Sequence, residues 1–159
     1  MAERALEVYL QDHWAGATAG AELANRIVDH YAGAEVETQV RSLAADIDAD
    51  RESLAAILDR LGVDRSAVKA AMGWLGEKAA RLKLGPLTGQ PQLVLFMELE
   101  ALSLGISGKL ALWRALEVAF APEALPLVDL DDLARRAEEQ RAFVEGLRLD
   151  EGRAVLHEQ

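Results

Sequence analysis

Apolar residues recur at alternating spacings of four and three over stretches of about thirty residues, and the four prolines, at 86, 91, 122 and 126, all lie outside those stretches. A strand repeats every two residues and a helix every 3.6, so this spacing specifies long amphipathic helices. A proline inside any of them would remove a backbone donor and break the ladder. Aromatic residues make up only 5% of the chain, and alanine and leucine fill most apolar positions. Such side chains lose little freedom in a helix, whereas strands favour β-branched and aromatic ones. No Asn-Gly or Asp-Gly hairpin signal occurs. The chain is therefore expected to be all-α.

The first helix is expected over 3–32, with Leu6, Leu10, His13, Ala17, Gly20, Ala24, Ile27 and Tyr31 on one face. Gly33-Ala34 supplies a short turn. A second helix over 35–62 carries Val36, Val40, Leu43, Ile47, Asp50, Leu54, Ile57 and Leu61, and Gly62 suits the position just past a helix end. So short a turn makes these two helices antiparallel. A shorter, glycine-containing run over 64–84 follows, with Asp64-Arg65-Ser66 at its start and Gly85-Pro86 at its end. Five basic residues (Arg65, Lys69, Lys78, Arg81, Lys83) against two acidic (Asp64, Glu77) make it the one locally basic segment. It complements an otherwise acidic bundle, or meets an acidic partner or phosphate.

Pro91 opens a third long helix over 91–120 that is apolar almost all round, which marks a helix central in its domain or buried against another chain. The last helix, over 130–156, turns Leu133, Ala137, Val144 and Leu147 inward and carries acids in its first turn, at the positive end of the helix dipole. The 159 residues suit a single domain over 1–159. The connection from Val63 to Gln90 is long enough to return along a bundle, which would make the second and third helices parallel; up-down-up-down is the alternative if it only caps one end.

Charge and composition narrow the function classes. Seventeen Lys and Arg against 27 Asp and Glu give a net charge of −10, opposed to binding nucleic acid or an anionic membrane. The absence of cysteine removes disulfide scaffolds, thiol catalysis and cysteine-ligated metal. The start, Met1-Ala2-Glu3-Arg4, lacks the basic-then-apolar order of a signal peptide, and no apolar stretch reaches membrane-spanning length. A cytoplasmic location is expected. Gly-x-Ser-x-Gly is absent, so serine catalysis has no support.

In helix order and lengths, and in the Tyr9-Leu10-Gln11-Asp12-His13-Trp14-Ala15-Gly16-Ala17-Thr18-Ala19-Gly20 stretch of the first helix, the chain resembles the ferritin-like superfamily, in particular its small bacterial bundles of unassigned function. The resemblance implies an antiparallel four-helix bundle with one long crossover, here carrying the short extra helix. It also implies a carboxylate-bridged di-iron or di-manganese centre acting on iron, peroxide or oxygen. Such centres take Glu-x-x-His from two helices, a spacing that sets carboxylate and imidazole on one face. None of the histidines, His13, His30 and His157, follows an acidic residue by three, and Glu138 and Glu139 are followed at that distance by Arg141 and Ala142. No metal ligand is carried over, and no cofactor is expected.

Four polar residues on or near the apolar stripes form the candidate ligand-binding set: His13, Asp50, Lys109 and Gln140. Such a cluster could hold a metal or small ligand, with Asp50 supporting His13 as a base and Glu22 as a further member. The plainer reading is that these groups satisfy one another in the core. Asp46-Ile47-Asp48-Ala49-Asp50 begins like a calcium loop but has Arg51 and Ile57 where Gly and Glu are required. Gly16 and Gly20 on the first helix, and Gly105, Ser107 and Gly108 on the third, form small-residue patches. They indicate either close helix packing or a slot for an apolar ligand lined by Trp14 and Trp113. The leading expectation is a non-enzymatic bundle acting through self-association, as a homodimer, or through another protein partner. The alternative is an atypical metal- or small-ligand-binding bundle built around His13.

Overall fold

The computed structural model describes residues 2–66 and 89–157. Four long helices account for most of them: α1 (Ala2–His30), α2 (Glu35–Leu61), α3 (Pro91–Ala119) and α4 (Leu130–Val155). A single 3₁₀ turn, Pro122–Ala124, lies between α3 and α4, and the described residues contain no strand. The helix expected over 64–84 lies outside the described residues except at 64–66, where Asp64 accepts hydrogen bonds from the backbone N–H and hydroxyl of Ser66 at 2.7 and 2.6 Å.

Local chemistry sets the boundaries. Gly33 takes φ 85° in the first turn and donates its N–H to Glu37 at 2.7 Å, tying the turn to the start of α2. At the end of α2, Gly62 adopts the left-handed conformation at φ 68°. Its N–H and that of Val63 then close onto the carbonyls of Asp59 and Leu58, satisfying two groups the helix leaves free. Pro91 stands in the first turn of α3, where its missing N–H is no loss. Asp129 caps α4 by accepting the N–H of Asp132 at 3.0 Å.

Side-chain pairs fix the helix directions. Arg26, late in α1, and Tyr31, just past its end, both reach Glu98, early in α3, whereas His13 shares a cleft with Lys109 and Trp113. α1 and α3 are therefore antiparallel, as are α1 and α2 across their short turn. α3 and α4 are antiparallel too, since Arg148 reaches Glu100 and Gly152 faces Phe96, while Arg114 reaches Asp131 and Glu138. It follows that α2 and α3 run parallel. The chain ends joined across 62–90 lie at opposite ends of the bundle, so the order is up-down-down-up, with one crossover, and not up-down-up-down.

The core is aliphatic. Leu10, Ala24 and Ile27 of α1 meet Val40, Leu54 and Leu58 of α2, Leu99, Leu102 and Trp113 of α3, and Ala137 and Val144 of α4. Every stripe residue expected on α2 is buried except Leu61. On α1 the stripe is interrupted: His13, Ala17 and Gly20 are only half-buried. That gap is the entrance to the cleft described below.

One helix glycine has a packing reason to be there. A Cβ added to Gly152 would stand 2.9 Å from the ring of Phe96, which is itself covered by the Arg148 guanidinium. Gly152→Ala should therefore lower stability by about 1 kcal/mol or more, the crowding outweighing the gain in helix propensity. A urea-unfolding comparison reads this, and an increase in stability would contradict it.

Candidate functional site

Asp50 lies at the centre of the bundle and is 1% exposed. Lys109 of α3 donates to its Oδ2 at 2.7 Å, and Gln140 of α4 donates to the same oxygen at 2.9 Å. Lys109 also donates to the Gln140 side-chain oxygen, closing a three-membered ring of bonds across three helices. On the other side, Arg136 Nη2 stands 3.0 Å from Asp50 Oδ1, close enough to pair electrostatically but off the line of a hydrogen bond. A buried carboxylate needs such partners, because taking it out of water unpaired costs several kcal/mol. Burial lowers the Lys109 ammonium from its ordinary pKa and the Arg136 charge adds to this, whereas the Asp50 charge and hydrogen bond pull it back up.

The structure thus brings together Asp50, Lys109 and Gln140 and adds Arg136. The signal for Arg136 was its position one turn before Gln140 on the same helix face. His13 does not join them. Both Asp50 oxygens face α3 and α4 partners, so the expected His13–Asp50 base pair is corrected to two separate features that line one cleft. Glu22 is exposed and lines a different depression, with Asn25, Arg26 and Asp48. Within the Asp46–Asp50 run, Asp46 is exposed while Asp50 is buried, so these carboxylates do not converge.

The cleft opens between α1 and α3 and is floored by α2, with a volume of about 170 Å³. Gly16 and Gly20 stand on one lip, Gly105 and Gly108 on the other. Ile47, Leu54, Leu102, Ile106, Leu112 and Trp113 form its apolar wall, and Asp12, His13, Arg51, Asp50 and Lys109 are its polar groups. A Cβ added at any of the four glycines would meet nothing within 4 Å. These glycines therefore do not serve close helix approach; their missing side chains keep a slot open. Trp14, expected beside Trp113, instead packs against the core under the Arg65 guanidinium and takes no part in the lining.

His13 stands at this opening with its ring edge-on to Tyr9 at 4.5 Å between centroids, and no described residue hydrogen-bonds to it. Burial holds its pKa below the ordinary 6.5, against a smaller raising effect of the Asp12 charge. A histidine whose folded pKa lies below its unfolded one favours folding above that window and loses stability as pH falls through it. Wild-type protein should thus lose more stability than His13→Gln between pH 7 and the low-pH side of 6.5. Paired urea curves measure the difference, and identical pH slopes would contradict it.

A di-metal centre does not fit these residues. The one buried carboxylate at the bundle centre is already met by two cationic side chains, and among the described residues no group of three or more His, Asp or Glu side chains is placed to hold a metal. None of the described helices is long and apolar enough to cross a membrane. Compared with known proteins, the chain matches no family model, no curated protein and no solved structure.

Proposed function

We propose that this protein is a non-enzymatic helical bundle that binds a small apolar molecule in the cleft between α1 and α3. The observation that carries this reading is the set of four helix-interior glycines whose absent side chains leave open space. Each costs helix stability relative to alanine, and no neighbouring atom requires the sacrifice. An aliphatic cavity of about 150 Å³ is enough to admit benzene, so a slot of this size suits a substituted single ring or a short branched chain. The polar cluster beneath it is internally paired, which suits a structural floor more than a reaction centre.

Cumene (isopropylbenzene) is a suitable probe. It should bind with a Kd on the order of 1 mM or below, given roughly 25 cal/mol for each Å² of apolar surface buried. It should also raise the unfolding temperature. Gly20→Leu combined with Gly108→Leu places two side chains in the slot and should abolish both effects. Unchanged binding in that variant would remove the cleft as the site.

A second reading, self-association, rests on the outer face of α3. Leu104, Ala111, Ala115 and Val118 are all exposed there, Leu104 at 68% and Val118 at 91%. Their spacing lets α3 pack against α3 of a second copy in a homodimer. Light scattering at micromolar concentration should then report a dimer that Leu104→Glu with Val118→Glu converts to monomer. Monomer alone in the wild type would refute this reading.

A further inference from the structure

We infer that two copies of this chain pair antiparallel through the outer face of α3, with Leu104 of each seated on the partner's Gly108. This deepens the self-association reading and rests on it, adding a direction and a register that exposure of the face alone does not give. From Val94 to Val118, uncharged residues recur on α3 at alternating steps of three and four; all are at least partly exposed and none belongs to the core. Such a row is the seam of a two-helix contact. Glu98, on one side of it, turns to Arg26 of α1. On the other side Glu100 turns to Arg148, and Arg114 to Asp131 and Glu138, all on α4. The seam therefore runs down the middle of an open face.

The order of side-chain sizes along the row sets the direction. Its long residues, Met97 and Leu104, come early, and its smallest, Gly108, Ala111 and Ala115, come late. A parallel pair in register would stack long on long, so contact at Leu104 would hold the helices apart and leave a void at Gly108. An antiparallel pair centred level with Ile106 instead sets Leu104 against the partner's Gly108 and Met97 against the partner's Ala115. Ala101 then meets the partner's Ala111, and two-fold symmetry makes each contact twice. Gly108 has open space where a Cβ would stand, so it serves both as a lip of the cleft and as the notch for Leu104. Charge agrees with this register. Glu100 and Arg114 share one flank of the seam at equal steps before and after Ser107, so each carboxylate comes beside the partner's Arg114. Their side chains are 53% and 46% exposed, which leaves each with surface for a second partner.

The chain has no cysteine, so disulfide cross-linking reads the register without background. Ala101→Cys alone or Ala111→Cys alone should stay uncross-linked on oxidation. In the antiparallel register each lies about 15 Å along the helix axis from the same residue of the partner, beyond the ~7 Å a disulfide spans. The double variant Ala101→Cys with Ala111→Cys should convert largely to a covalent dimer. Cross-linking of either single variant would overturn the antiparallel direction. A double variant that is dimeric by light scattering yet does not cross-link would overturn the register; both outcomes leave self-association standing. Monomer alone in the wild type would remove the self-association reading and this inference with it. A second measurement uses the notch itself. Gly108→Leu should crowd Leu104 and raise the dimer Kd about tenfold or more, and adding Leu104→Gly should recover it by exchanging the two sides of one layer. An unchanged or tighter dimer with Gly108→Leu alone would overturn the pairing.

Discussion

Asp50→Ala is expected to destabilise the protein by about 3–5 kcal/mol, among the largest effects available to a single substitution here. The side chain of Asp50 is 0% exposed and that of Lys109 13%, so the variant leaves an ammonium group largely out of water with no counter-charge. Gln140 loses the acceptor for its amide at the same time. Arg136, at 30% exposure, can turn toward solvent and recovers part of the loss. The triple variant Asp50→Leu, Lys109→Met and Gln140→Leu should behave differently. It removes the whole ring of bonds, leaves unpaired only Arg136, which can turn toward solvent, and should fall within about 1 kcal/mol of wild type or exceed it. Urea unfolding of both variants separates the two explanations. Equal losses would mean that Asp50 stabilises by shape alone.

Replacing Gly16, Gly20, Gly105 and Gly108 together by alanine should raise stability by about 2–4 kcal/mol, since each helix-interior glycine forgoes about 0.5–1 kcal/mol against alanine. The gain is expected because an added Cβ meets nothing within 4 Å at any of the four. It should come with weaker cumene binding, as the slot narrows from both lips. A loss of stability on alanine substitution would show that α1 and α3 need glycine to approach each other, and the slot would lose its rationale. The contrast with Gly152, where Phe96 blocks a Cβ, makes the comparison internal to one protein.

Much of the architecture was legible because it depends on period. The α2 stripe from Val36 to Ile57 was readable from spacing alone, since one uninterrupted apolar face has only one way to be buried. The crossover followed from the length of the connection, but its choice over an up-down-up-down order required the Tyr31–Glu98 and Arg148–Glu100 pairings, which no local pattern encodes. The Asp50, Lys109 and Gln140 cluster was visible as polar residues on apolar stripes. His13 was grouped with them as a polar residue on the α1 stripe, and stripe position cannot tell that both Asp50 oxygens turn to partners on α3 and α4 while His13 only lines the same cleft. Arg136 was passed over because an arginine on an amphipathic helix ordinarily faces water.

The glycines were the least decidable from sequence. A Gly-x-x-x-Gly pair reads the same whether it lets two backbones touch or holds them apart, and only the distance to the neighbouring helix distinguishes the cases. The outer face of α3 poses the same difficulty, for Leu104 and Val118 are as apolar as the buried Leu102 and Leu116.

A crystal structure of the protein soaked with cumene tests the central claim most directly. Cumene should lie between α1 and α3, bounded by the four glycines and against the Trp113 ring, with the Asp50–Lys109–Gln140 bonds intact beneath it. The claim would be contradicted by helices closed over an empty slot with the Trp113 N–H bonded within the protein, or by a side chain of a second copy seated where the probe should be.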